Sequence, residues 1–248
     1  MPVEIIPVAE DTYAFFLTGG GSAIMIDPGE PAPVQTALRR LQLPLKHILV
    51  THAHSDHTGG CRTLAKDWNC PVSGPPGVPG ITQPITLSQW IQTPVASVQA
   101  LHTPGHTKHH LCYFISGPDP FLFSGDTLFG AGCGRVSDQA YPDMWMSLQQ
   151  LRKLPPETRV YFGHEYTLEN LSFALHLEPE NRHVQHRLEA SHQRLTSTNT
   201  TCPSTLAEEC LTNPFLRADD PRLADAIGQS GADPARVFTE LRQRKDRW

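Results

Sequence analysis

From the first residue to about Thr167, short runs rich in β-branched and aromatic residues alternate with stretches whose apolar positions recur every three or four residues. "YAFFLT" and "SAIMID" flank "GGG" and read as two strands joined by a turn that can take positive φ. In "APVQTALRRLQL", Val34, Ala37, Leu38 and Leu41 fall on one stripe, which predicts a helix packed on a sheet. "HILVT", "VASVQALHT", "HLCYFI", "PFLFSGDT" and "RVYFGHE" repeat the strand pattern, and Met144, Leu148 and Leu151 mark a helix after "YPD". Strands alternating with helices in this way predict a layered α/β architecture.

Beyond Thr167 the strand signal stops. Leu168, Leu171 and Leu175 form one helical stripe and Val184, Leu188 and Leu195 another, with "EPEN" between them. "TLAE" at Thr205 to Glu208 has the form of a capping box, and "DDP" and "ADP" each put a proline at a first helical position. In the last segment, "ADPARVFTELRQRKDRW", Val237, Phe238, Leu241 and Trp248 share one arc, with Lys245 inside it and Arg242 beside Lys245 on the surface. Two domains are expected, residues 1–167 and a small helical one over 168–248, and the Pro/Gly-rich "GPPGVPG" reads as a loop.

A chain of 248 residues with 39% hydrophobic content can bury a large core without a structural clip. Its formal charge of −5, with no long basic run, argues against nucleic acid as the principal partner. "MPVEIIPVAED" has neither a basic n-region nor an apolar h-region, and no stretch approaches the roughly 18 apolar residues of a membrane span. The expectation is a soluble, cytoplasmic protein with no membrane partner. The six cysteines include no CxxC pair and read as reduced thiols, Cys112 as a small core residue; Cys133, between glycines, is less easily assigned to packing.

The chemistry is concentrated in "THAHSDH", which follows the buried run "HILVT" directly. Side chains two apart in an extended loop point the same way, so His52 and His54 can converge on one ion, while Asp56 and His57, after the chain turns, can serve a second. Three further polar residues follow strand-like runs: His106 in "TPGHT", Asp126 in "FSGDTLF" and His164 in "YFGHEYT". If these strand ends cluster, one ion takes His52, His54 and His106, the other takes Asp56, His57 and His164, and Asp126 bridges them through its two oxygens. Mixed nitrogen and oxygen ligands with no sulfur fit zinc, iron or manganese without choosing among them, and two zinc ions are the expectation taken forward. His102, His109 and His110 read as supporting or surface residues, of which His109 or His110 could orient a ligand. His176, His183, His186 and His192 read as solvated, and Asp27 in "IDPG" fits a turn cap and a support of the metal loop equally well.

The series HxHxDH, GHT, SGDT and GHEYT resembles the metallo-β-lactamase superfamily, which implies an αββα sandwich carrying a dinuclear metal site. "GCGR", "HEYT", "NPFLR" and "RQRKD" narrow the resemblance to the glyoxalase II (hydroxyacylglutathione hydrolase) family over nearly the whole chain. A monomer is expected, and the resemblance implies hydrolysis of S-D-lactoylglutathione to D-lactate and glutathione, the second step of methylglyoxal detoxification. It also implies that Arg135, Ser137, Tyr166, Arg242 and Lys245 hold the glutathione moiety. Ser137 stands where the family commonly carries an aromatic, and Thr12 where it usually carries asparagine, a change expected to affect a turn.

Two ions sharing a water would lower its pKa enough to supply a nucleophile at neutral pH, so no serine or cysteine nucleophile is needed. Asp56 and Asp126 are then the catalytic carboxylates, Asp56 aiming the attacking water. A thiolate leaves without prior protonation, so a thioester suits such a site. The nearest rivals are other hydrolases or dioxygenases of the superfamily acting on a different thioester or a persulfide. A common zinc β-lactamase would place cysteine at Asp126, and a diiron flavoprotein glutamate at His54. A metal-binding module without catalysis is the rival from another class.

Overall fold

In the computed structural model, which describes residues 1–137 and 139–248, the N-terminal apolar runs form a meander of β1 (Val3–Val8), β2 (Thr12–Gly19) and β3 (Ser22–Ile26). Gly19 pairs with Ser22, so Gly20 and Gly21 alone turn the corner, both at positive φ (57° and 72°). A two-residue turn of that hand matches the twist of the strands. Thr12 starts β2 opposite Val8, where the first hairpin closes. β3, β4 (Leu45–Leu49), β5 (Val72–Gly74) and β6 (Gln83–Pro84) run parallel. Parallel neighbours need crossovers. They are α1 (Pro31–Leu41) between β3 and β4, then α2 (Ser55–Thr58) and α3 (Cys61–Trp68) between β4 and β5.

A second group of strands is antiparallel: β7 (Gln89–Gln92), β8 (Ser97–His102), β9 (Leu111–Ile115) and β10 (Phe121–Gly125), in the order β10-β9-β8-β7. All these elements belong to one of two units into which contacts divide the chain, Met1–His102 with His109–Gly125. β2 shows how the layers form. Ala14 and Phe16 join Val34, Ala37, Leu38 and Leu64 of the helical layer, while Phe15 on the opposite face meets Phe123 of β10 at 5.5 Å. Buried on both sides, β2 cannot alternate apolar with polar, hence the unbroken "YAFFL". The Tyr113 hydroxyl of β9 donates to the Val50 carbonyl at 2.6 Å, a polar bond across the two sheets.

The other unit comprises Thr103–Lys108 and Asp126–Trp248. Its elements are β11 (Leu128–Phe129), β12 (Gly132–Cys133), α4 (Tyr141–Leu151), β13 (Arg159–Phe162), α5 (Thr167–Leu177) and α6 (Arg182–Thr198). β14 (Ser204–Thr205), α7 (Leu206–Thr212), a 3-10 turn at Pro214–Leu216, α8 (Pro221–Ala226) and α9 (Pro234–Asp246) follow. The capping signals act as expected. Thr205 accepts the Glu208 N–H, and Asp220 and Asp233 cap α8 and α9 ahead of their prolines. An aromatic row, Phe173–Phe215–Phe238–Trp145, ties α5, the 3-10 turn, α9 and α4 together at centroid spacings of 5.9–6.1 Å. Among the described residues no helix is long and apolar enough to cross a membrane.

Three helical expectations are corrected. The buried face of α5 is Thr167, Asn170, Leu171, Phe173, Ala174 and Leu177; Leu168 and Leu175 are only half-buried. The face is rotated because Asn170 donates to the Gly130 carbonyl (3.0 Å) beside the β11–β12 hairpin. Trp248 lies past the end of α9 and is 54% exposed, its ring set against Phe173 at 5.6 Å and His176 at 4.6 Å. Arg242, expected on the surface, is 4% exposed, its guanidinium over the Phe215 ring at 5.1 Å. A cation on an aromatic face with a carbonyl partner can be buried where an unpartnered one cannot.

Removing the Tyr113 hydroxyl leaves the buried Val50 carbonyl without this donor. Tyr113→Phe is expected to lower unfolding stability by about 1–2 kcal/mol in urea denaturation, with the slope unchanged.

Candidate metal and substrate site

The histidine loop follows β4, and Asp27 follows the adjacent parallel strand β3. Asp27 is 1% exposed at φ 52°, and its carboxylate accepts three bonds: Thr51 N–H at 2.7 Å, Thr51 O–H at 2.7 Å and His57 Nδ1–H at 3.0 Å. It therefore supports the loop. Because the Thr51 hydroxyl proton is directed to Asp27, its oxygen can only accept from His52 Nδ1, 3.0 Å away. Both His52 and His57 thus keep Nε2 as a lone pair. His52 Nε2 lies 3.0 Å from His54 Nδ1, and His57 Nε2 lies 3.6 Å from Asp56 Oδ2. Buried His110 stacks on His52 at 5.0 Å.

Glycines allow this packing. A Cβ on Gly29 would stand 1.8 Å from the Asp56 carbonyl oxygen, and one on Gly60 2.6 Å from that of Pro28, whose oxygen accepts the Gly60 N–H at 2.7 Å. The "DPG" and "TGG" segments touch through bare backbone.

In the second unit His106 Nδ1 donates to the Arg135 carbonyl at 2.9 Å, which again leaves Nε2 as a lone pair. Asp126 Oδ2 lies 3.4 Å from that Nε2 and 3.3 Å from His164 Nε2. Around a tetrahedral ion with bonds of about 2.0–2.1 Å, neighbouring ligand atoms stand about 3.3–3.4 Å apart. Donor identity, spacing and the disposal of the second ring proton therefore all fit a divalent metal. The chain carries the histidine and aspartate donors of a divalent-metal site.

"HEYT" reads as alternation. His164 and Tyr166 stack in parallel at 4.9 Å, while Glu165 between them accepts from Thr201 N–H (2.7 Å) and O–H (2.6 Å). His106, Asp126, Arg135, Tyr166, Arg242 and Lys245 line a cavity of about 360 Å³ within the second unit. Ser137 does not line it; its amide and hydroxyl turn to the Gly105 carbonyl at 3.0 and 3.4 Å. Arg242 Nη1 donates to the Cys133 carbonyl (2.9 Å), Nη2 pairs with Asp246 (3.0 Å), and among the described residues buried Nε has no partner. Lys245 pairs with Glu169, a cavity residue that sequence reasoning missed.

Cys133 also lines the cavity, but burial pushes its thiol up to about 11, with Arg242 only partly opposing the shift. A thiol protonated at neutral pH is a poor nucleophile. All six cysteines are free. A Cβ on Gly134 would fall 2.0 Å from the Asp126 carbonyl oxygen, so glycine is required beside Cys133.

This fold and histidine loop define a class: a model described as the metallo-beta-lactamase superfamily matches residues 8–84 and 91–164. A B3 metallo-beta-lactamase structure superposes with a TM-score of 0.67 at 22% identity, covering 87% of this chain and 99% of its own. Another structure, solved in a di-iron-bound form, has a TM-score of 0.61 at 25% identity and covers 87% and 100%. A second model, described as hydroxyacylglutathione hydrolase C-terminus, matches residues 165–248. A relative from Rhodopseudomonas palustris (strain BisA53) named hydroxyacylglutathione hydrolase is 42% identical over 99% of this chain and 98% of its own. The chain belongs to the hydroxyacylglutathione hydrolase family.

Asp27→Ala removes the acceptor that fixes His57 and, through Thr51, His52. It is expected to weaken divalent-metal affinity by about 10- to 100-fold, read by competition with a chromophoric chelator, with the circular dichroism spectrum unchanged.

Proposed function

We propose that the chain hydrolyses S-D-lactoylglutathione to D-lactate and glutathione. The observation that carries this reading is one cavity lined both by the donor pair His106 and Asp126 and by the cations Arg135, Arg242 and Lys245. Metal donors supply a hydrolytic centre, and cations beside them suit a ligand whose thiol portion is a peptide with two carboxylates. The cytoplasm, a monomeric state and the absence of a nucleic-acid partner belong to the same proposal.

We assign His52, His54 and His106 as the residues that would hold one divalent ion and Asp56, His57 and His164 as those that would hold a second, with the Asp126 carboxylate, whose Oδ2 lies against donors of both sets, shared between them. The position of that oxygen between His106 and His164 supports the assignment. Zinc is the proposed metal. Bound there, the ions supply Lewis acidity: they lower the pKa of water toward neutrality and stabilise negative charge on an acyl oxygen. Asp56, half-buried, accepts a hydrogen bond from the attacking water and orients it toward the acyl carbon. The thiolate of glutathione leaves without a proton, so no side chain need act as general acid. Arg135, Tyr166, Arg242 and Lys245 bind the peptide, and Ser137 contributes through the turn it makes with Gly105.

We further propose a catalytic domain over residues 1–167, which also lends Arg135 and Tyr166 to the cavity, and a helical substrate-binding domain over 168–248. The passage from one family model to the other between His164 and Glu165 supports that division.

The test is hydrolysis of S-D-lactoylglutathione beside a β-lactam and glutathione persulfide, with both products measured. Arg242→Ala and Lys245→Ala are expected to lower kcat/KM on the glutathione thioester about ten- to a hundredfold while sparing a small thioester that lacks the peptide. Equal losses on both substrates would make these residues structural. Absence of hydrolysis by the metal-loaded wild type would refute the proposal.

A further inference from the structure

We infer that Glu169 sets the affinity of the cavity for a terminal carboxylate, by holding Lys245 with its own carboxylate until a ligand carboxylate takes its place; the inference rests on the peptide-binding reading above. Glu169 and Lys245 both line the cavity and form an ion pair between α5 and α9. The two partners are unequally placed. The Lys245 side chain is 7% exposed, with its ammonium 5.7 Å over the Phe173 ring, whereas the Glu169 side chain is 64% exposed.

That asymmetry decides which partner moves. An ammonium removed from water needs an anion beside it, and neither the ring nor the packed stem of Lys245 provides a full charge. A carboxylate that is mostly in water loses little hydration on pairing and regains it on release. Arg242 differs, because it is buried, fixed to the Cys133 carbonyl and paired with Asp246 on its own helix. Of the two α9 cations, Lys245 is therefore the one whose counter-ion is exchangeable, and a carboxylate that binds at Lys245 must replace Glu169 rather than meet an unpaired charge. Glu169 lies three residues after Tyr166, in the first turn of α5, where an acidic residue also suits the helix dipole. The pairing with Lys245 goes beyond that local role, because it crosses to α9.

The probes are glutathione and its glycine-ethyl ester, which lacks that one carboxylate. They are titrated by calorimetry into the metal-loaded wild type and the Glu169→Gln, Lys245→Met and double variants. Glu169→Gln is expected to bind glutathione about three- to tenfold more tightly and to leave ester binding unchanged. In the Lys245→Met background the same substitution is expected to change neither. Its KM for S-D-lactoylglutathione is expected to fall in proportion to the gain in glutathione affinity. Unchanged or weaker glutathione binding by Glu169→Gln would overturn the inference, as would equal tightening toward the ester. A wild type that hydrolyses the thioester while Glu169→Gln binds like wild type refutes this inference alone; a wild type that neither binds glutathione nor hydrolyses the thioester refutes the reading on which it rests.

Discussion

For an imidazole to present one chosen nitrogen to a metal, the proton on its other nitrogen needs an acceptor that fixes the tautomer and the ring. Much of the architecture satisfies that condition. Asp27 accepts the His57 Nδ1–H, the Thr51 hydroxyl, itself held by Asp27, accepts the His52 Nδ1–H, and the Arg135 carbonyl accepts the His106 Nδ1–H. Asp27 stands within reach of Thr51 because β3 and β4 run parallel and end together, with Ile26 opposite Leu49. The parallel pairing requires α1 as a crossover, and α1 stays in place by burying Val34, Ala37 and Leu38 against the sheet. A packing stripe thereby fixes the protonation pattern of the metal loop.

The helical segments do analogous work beside the cavity. Glu209, fully buried and paired with Arg187, accepts the Ala131 N–H at 2.8 Å, and Asn213 donates to the Gly132 carbonyl at 2.9 Å. These bonds shape the β11–β12 turn that leads into Cys133, Gly134 and Arg135 at the cavity. "NPFLR" thus has a structural meaning within the family pattern: Asn213 holds the turn, Phe215 carries the Arg242 cation, and Arg217 clasps Glu178 at 2.7 and 2.8 Å.

The legible parts of the sequence were those in which a few neighbouring residues carry the whole physical cause. "GGG" between two strand runs specified a hairpin because glycine turns there without strain, and HxHxDH after a buried strand pointed to metal because so many imidazole and carboxylate donors in one short loop suit a shared ion. The capping signals at Thr205, Asp220 and Asp233 are equally local. Asp27 was ambiguous because its partners lie 24 and 30 residues away and meet it only through strand pairing. Arg242 was misplaced because periodicity counts a cation as surface, whereas Phe215 and the Cys133 carbonyl give it a buried berth. Trp248 was misplaced because α9 ends at Asp246. Glu169 carried no signal beyond its place at a helix start, since its partner lies 76 residues away.

The proposed dependence of hydrolysis on two divalent ions, held by paired histidine and aspartate donors, is open to measurement. Its most direct measurement is a stepwise titration of chelator-stripped protein with zinc, with elemental analysis of bound metal and thioesterase rate at each step. Binding that saturates at two ions per chain, with the rate following occupancy and negligible in the stripped protein, is the expected result. Full rate at one ion per chain, or in the stripped protein, would contradict it.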